Sequence, residues 1–164
     1  MSASPTEGEL IFLENFCKER GIRNVIEFGP GKSTEAFARA GCHVHSYEPS
    51  ELYFFKYRRK FNGMPNIEIR LLRITGFPLA YPIGWKDMYD FAFVDSPVGA
   101  SYKYFSRLDT VLHSLTIAPL IGLHDAKRRK EKNTLDILAE IGWNVIAQSP
   151  EEDTRKGIVI LEKK

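Results

Sequence analysis

The sequence predicts an α/β fold: a three-layer sandwich around a mostly parallel, seven-stranded sheet that ends in an antiparallel hairpin. Three observations carry this. Strand-like and helix-like segments alternate along the chain without internal repeat or linker, which sets parallel strands side by side with helices on both faces. The first strand-like run opens into "FGPGKST", residues 28–34, a turn with two glycines that leads into a helix. The last two runs, "WNVIAQ" and "KGIVILEK", are separated only by the short polar joint "SPEEDTR", and a joint of that length pairs its strands antiparallel.

Each element has a local reason. Thr6 and Glu9 stand at capping-box spacing, and Leu10, Leu13 and Cys17 follow at helical intervals up to Gly21. "RNVIEF" is the first strand, and "STEAFARAG" a short helix closed by Gly41. "CHVHSYE" alternates as the second strand. "ELYFFKYRRKF" is a helix ended by Asn62-Gly63, with Phe54, Tyr57 and Phe61 on one side. That spacing assigns the three aromatics to the core. "NIEIRLLRI" is the third strand. Residues 75–88 hold two prolines and two glycines and exclude a regular helix. They form either a wall of the substrate pocket or a packed connector. "YDFAFVD" is the fourth strand, "SYKYFSRLDTVLH" a helix, "IAPLIGLHD" the fifth strand and "RRKEKNTLDILAEIG" a helix.

Composition narrows the function classes. At 164 residues, 43% hydrophobic and 27% charged, the chain reads as one domain, residues 1–164, with a helix at 1–21 ahead of a core at 22–164. A net charge of +2 implies no polyanionic partner. The basic runs "KYRRKF" and "KRRKEK" read as solvated faces, so nucleic acid is disfavoured. Cys17 and Cys42 lack CxxC spacing and read as reduced thiols of a cytoplasmic protein. No segment has the length and apolarity of a signal or membrane span. His43 and His45 flank Val44 with nothing nearby to complete a metal set.

Ligands of such sheets bind at the carboxyl ends of the strands. Glu27, Phe28, Gly29, Pro30 and Gly31 follow the first strand, Glu48 ends the second, Asp95 the fourth and His124-Asp125 the fifth. Gly29, Gly31 and the later acid Glu48 match part of a dinucleotide fingerprint, but Thr34 stands where its third glycine belongs. The Glu27 carboxylate beside a pyrophosphate would cost about 1 kcal/mol or more. Both points disfavour a nicotinamide dinucleotide. A ligand with a sulfonium and an ammonium group reverses the sign of the Glu27 term, and Glu48 suits its ribose hydroxyls. A turn before Pro49 needs no acid for its own sake.

"VIEFGPGKS" followed by "HSYEPS" resembles the cofactor motif and ribose acid of the class I S-adenosylmethionine-dependent methyltransferases, which are Rossmann-like, and the terminal hairpin resembles their reversed final strand. The likeness spans residues 22–164. It implies S-adenosylmethionine as cofactor, held by Glu27, Phe28, Gly29, Pro30, Gly31, Ser33, Glu48 and Asp95. A narrower likeness links Asp95, Pro97, Gly99, Arg107, His124, Asp125, Arg128 and Glu131 to methyltransferase-domain proteins with a DxPxG…R…HDAxRxxE pattern, some tied to glycan modification. Asp95 and Asp125 also match two positions of the metal-using small-molecule O-methyltransferases. Ala126 replaces their asparagine, which disfavours a divalent metal but leaves two carboxylates, Asp95 and Asp125, able to hold Mg²⁺ with waters.

The resemblance implies methyl transfer to oxygen of a hydroxylated or acidic acceptor, glycans among them. His124 has the unperturbed pKa of a general base, with Asp125 or Asp95 to orient it. Arg107 and Arg128 suit an acidic group on the acceptor. Each has a plainer rival: a satisfied strand-end histidine, a helix cap at Asp125, an i,i+3 surface pair of Arg128 with Glu131, and caps at Ser33 and Thr34. Rival functions are a cofactor-binding protein without catalysis and a nicotinamide-dependent oxidoreductase. With only one helix ahead of the core, either a large substrate brings its own surface or a second subunit, as in a homodimer, finishes the pocket.

Overall fold

A computed structural model describes residues 4–72, 89–95, 107–150 and 157–164. The strands are β1 (Asn24–Phe28), β2 (His43–Glu48), β3 (Ile67–Leu71), β4 (Phe91–Val94), β5 (Leu120–His124), β6 (Trp143–Gln148) and β7 (Ile158–Lys163). The helices are α1 (Glu7–Arg20), α2 (Lys32–Arg39), α3 (Glu51–Lys60), α4 (Leu108–Ser114) and α5 (Arg129–Glu140). One seven-stranded sheet runs in the order β3-β2-β1-β4-β5-β7-β6. β1 to β5 are parallel, and β7 lies antiparallel between β5 and β6. The expected sheet and its reversed final strand are both present.

Period-two alternation along each strand sends side chains to two separate cores. On one face Val25, Val44, Phe91 and Phe93 pack with Leu13, Phe16 and Cys17 of α1 and Phe37 of α2. On the other, Ile26, Phe28, Ala92, Val94 and Leu123 pack with Val111 of α4 and Leu138 of α5. These are the outer layers of the sandwich. Gly122 has a specific cause: a Cβ there would lie 2.6 Å from the Phe91 ring and 2.7 Å from the Phe93 ring. Cys17 and Cys42 are both buried and free, and Cys42 Sγ donates to the Ile22 carbonyl at 3.3 Å.

The α1 capping box forms as its spacing predicts: Thr6 N donates to Glu9 Oε2 at 2.7 Å and Glu9 N to Thr6 Oγ1 at 3.2 Å. The expectation for α3 needs correction. None of its residues is buried; Phe54 and Tyr57 are half-buried, and Phe61, just past the helix, is the one aromatic of the three in the interior. The helix lies along β2 and β3 at the margin of the sheet, so much of its apolar surface is not roofed by another layer. Residues 75–88, with Pro97 and Gly99, lie outside the described residues, as do 101–106 of the expected helix ahead of α4. Among the described residues no helix is long and apolar enough to cross a membrane.

The strand order reverses between β1 and β4. β2 and β3 extend one way from β1, β4 and β5 the other, and the crevice at this switch point lies beyond the carboxyl ends of β1 and β4.

Candidate cofactor and active site

The turn after β1 is built around a buried acid. Glu27 is fully buried, and its carboxylate accepts from Ser33 Oγ at 2.5 Å, Thr34 Oγ1 at 2.6 Å and Ser46 Oγ at 2.6 Å. Burial pushes Glu27 up to about 7, against the pull of these three hydroxyls and with a push from the charge of Asp95. Thr34 Oγ1 also accepts the Gly31 N–H at 2.9 Å. The acid therefore ties β1, β2 and the first turn of α2 into one unit. Gly29 takes φ 100°, which a side chain would strain, and donates its N–H to the Tyr47 carbonyl at 3.0 Å. At Gly31 a Cβ would meet nothing within 4 Å, so the backbone there faces open space.

That space is a cavity of about 480 Å³ at the switch point, within the range of small-molecule sites. Gly29, Pro30, Gly31 and Lys32 form its floor, Glu48 and Ser50 one rim, and Asp95 the end of β4. Tyr53 and Tyr57 of α3 and Ser4 and Pro5, ahead of α1, supply further walls. Glu48 is 8% exposed, and its Oε1 accepts the Ser50 N–H at 2.9 Å. Burial raises its pKa, opposed by that hydrogen bond.

Behind Asp95 lies a buried ionic cluster. His124 Nδ1 is 2.5 Å from Asp95 Oδ1, and its Nε2 is 3.6 Å from Glu9 Oε2. The second distance is longer than a hydrogen bond, so charge attraction carries the contact. Arg107 Nη2 donates to Asp125 Oδ2 at 3.0 Å and lies 3.7 Å from Asp95 Oδ1, while its Nη1 donates to the His124 carbonyl. Arg128 Nη1 reaches the same Asp125 oxygen at 2.9 Å. His124 is 0% exposed. Burial alone would lower its pKa, but the hydrogen bond to Asp95 and the nearby carboxylates of Glu9, Asp95 and Asp125 prevail and lift it to about 9. Asp125 is also fully buried and is the one non-glycine described residue with positive φ, 58°, a strain that persists only where the surroundings hold it.

No family model matches the sequence, and no curated protein does either. Solved structures match across nearly the whole chain. An O-methyltransferase from Bacillus cereus, in complex with SAH, aligns with a TM-score of 0.70 at 18% identity over 98% of this chain and 82% of that one. The O-methyltransferase TomG from Streptomyces achromogenes, in complex with SAM, aligns at 0.67 and 12% identity, over 98% and 82%. The branched-chain polyamine synthase of Thermus thermophilus, in complex with 5′-methylthioadenosine among its ligands, aligns at 0.70 and 12% identity over 96% of this chain and 56% of that one. The fold is that of the class I methyltransferases.

Within this methyltransferase fold, the expected site residues separate into three groups. Gly29, Pro30, Gly31, Glu48 and Asp95 line the cavity. Glu27, Phe28 and Ser33 are buried and do not line it: Ser33 donates to Glu27, and Phe28 packs in the core. His124, Asp125 and Arg107 sit deeper, each at most 3% exposed. His124, the expected base, does not line the cavity, and its imidazole is bonded to Asp95. Arg107, the expected grip for an acidic group, is enclosed and paired with Asp125. Arg128 keeps a side chain 39% exposed, but it pairs with Asp125 and not with the buried Glu131. Asp125 does not cap α5, whose N-cap residue is Arg128. Sequence reasoning missed the cavity residues Ser4, Pro5, Lys32, Ser50, Tyr53 and Tyr57, and it took Glu9 only for a cap.

Asp95, His124 and Asp125 offer ligand atoms within 4.8 Å of one another, the sole such group among the described residues. Their charges are already matched. Asp95, Asp125 and Glu9 face His124, Arg107 and Arg128, three carboxylates against three cations. A divalent ion would bring two further charges beside a buried guanidinium and an imidazolium that hold Asp125 Oδ2 and Asp95 Oδ1, and uncompensated buried charge is costly. The balanced charge disfavours a divalent ion, while Asp125 Oδ1 is a buried oxygen with no hydrogen-bond partner.

Proposed function

We propose that the protein is an S-adenosylmethionine-dependent methyltransferase acting on oxygen of a hydroxylated or acidic acceptor. The observation that carries this reading is the meeting of the glycine turn, Glu48 and two tyrosines on one cavity. The turn admits a ligand close to the backbone, Glu48 suits a ribose diol, and Tyr53 and Tyr57 suit an adenine face. Thr34 supports the preference for a ligand without phosphate. Its hydroxyl takes the Gly31 N–H, one of the donors that a pyrophosphate at this helix start would use. This replaces the charge argument from Glu27, whose carboxylate faces its own hydroxyls.

Methyl transfer from a sulfonium depends on holding the acceptor in line with the methyl group, and positioning supplies several kcal/mol of the barrier. Asp95 is the acidic group at the β4 end of the cavity, with His124 and Arg107 fixing it from behind. In this reading Asp95 orients the acceptor, and His124 and Asp125 position Asp95.

Calorimetric titration with S-adenosylhomocysteine, with NAD run alongside, tests the reading. Stoichiometric binding that Glu48→Ala abolishes is the expected result. Binding of NAD in its place would overturn it.

A further inference from the structure

We propose that Glu9 is a positioning residue of the cofactor site, through which α1 holds the cavity wall at Ser4 and Pro5 in register with Asp95. The inference rests on reading the cavity as a cofactor site.

A capping-box glutamate needs only to accept the N-cap N–H, and it ordinarily does so at the surface. Glu9 does more. It is 2% exposed. Its Oε1 accepts the N–H of Gly157, 148 residues away, at 2.9 Å. Its Oε2 accepts the Thr6 N–H at 2.7 Å and faces His124 Nε2 at 3.6 Å. His124 in turn holds Asp95 through Nδ1 at 2.5 Å. One carboxylate thus joins the start of α1, the entry to β7 and the end of β5.

The two ends of this chain are both cavity walls. Ser4 and Pro5 immediately precede the capped Thr6, and Asp95 lines the same cavity. The link Glu9–His124–Asp95 runs beneath the cavity and connects the walls through charge. Removing the charge of Glu9 leaves His124 Nε2, which has no hydrogen-bond partner, without its ion pair. The N-terminal wall and Asp95 are then free to part. A second tether of α1, Glu14 to Arg39 of α2 at 3.0 Å, is exposed and remote from the cavity. It serves as the comparison.

The test compares S-adenosylhomocysteine affinity by calorimetry in the unaltered protein, Glu9→Gln and Glu14→Gln, with the His124 ring titrated by NMR. Glutamine carries no charge and keeps one acceptor oxygen, which can take the Thr6 or the Gly157 N–H but not both. We expect about tenfold weaker binding in Glu9→Gln, unchanged binding in Glu14→Gln, and loss of the His124 proton at lower pH in Glu9→Gln alone. The groups that set this titration are Glu9 of α1, Asp95 after β4, Asp125 beside the ring, and Arg107. If Glu9→Gln does not fold, Glu9→Asp, which keeps the charge one methylene short of His124, must show the same weakening. Equal affinity in the unaltered protein and Glu9→Gln overturns the inference alone. So does equal weakening in Glu9→Gln and Glu14→Gln, since that reports a general loosening of α1. No binding by the unaltered protein overturns the reading of the cavity, and this inference with it.

Discussion

His124 Nδ1 lies 2.5 Å from Asp95 Oδ1, which makes the imidazole the internal support of the carboxylate that faces the cavity. The support depends on charge and therefore on pH. The folded pKa of about 9 stands above the ordinary 6.5, so the contribution of this proton to stability is complete below pH 6.5 and lost as pH rises through 9. His124→Gln removes it. Chemical unfolding should find the unaltered protein more stable than His124→Gln by on the order of 1–3 kcal/mol at pH 6. The gap should narrow steadily up to pH 9.5. A gap independent of pH would mean that the imidazole acts by packing alone.

Metal should be immaterial. Because Arg107 and Arg128 already hold Asp125 Oδ2 and the cluster's charges are matched, Mg²⁺ or EDTA should leave both the melting temperature and the affinity for S-adenosylhomocysteine unchanged. A rise in melting temperature that depends on Mg²⁺ concentration would show that the cluster rearranges to hold an ion.

The tyrosines of α3 should contribute to binding through their faces. Tyr53 and Tyr57 stack at 6.4 Å between centroids and both line the cavity. Tyr57→Ala should weaken S-adenosylhomocysteine about tenfold, the scale of one base-on-aromatic stack, while Tyr57→Phe keeps the ring and most of the affinity. Calorimetry of the two variants checks this, and equal losses would point to the hydroxyl.

Gly122 should not tolerate even alanine. The added methyl would meet the Phe91 and Phe93 rings at 2.6 and 2.7 Å, and overpacking of this kind costs about 1–3 kcal/mol. At this chain length each kcal/mol lowers the melting temperature by about 2–4 °C. A melting curve of Gly122→Ala identical to that of the unaltered protein would mean that the rings move aside.

Much of the fold is legible in the sequence because its signals are local. The β1 turn announces itself through Gly29 and Gly31, and the alternation of "CHVHSYE" gives β2 within one residue. Glu48 is readable as a site residue because its distance from the glycine turn is set by one βαβ unit. α3 misleads for a physical reason. Helical spacing reports that Phe54 and Tyr57 share a face, but it does not report whether another layer covers that face or a cavity opens beside it. His124 misleads likewise, since its chemistry depends on Asp95 and Glu9, brought to it by topology. Glu9 is the extreme case: its cap partner is three residues away and visible, whereas Gly157 and His124 lie near the other end of the chain.

The hydrogen bond from Gly157 to Glu9 also has a temporal meaning. Gly157 follows Glu9 by 148 residues, so the carboxylate is made well before its backbone partner. During synthesis, an emerging chain carries Glu9 without that donor until the entry to β7 appears, and β7 must then slot between β5 and β6. Closures across so long a stretch of chain are the slow ones. The tie between the start of α1 and the entry to β7 therefore closes only once β7 has been made.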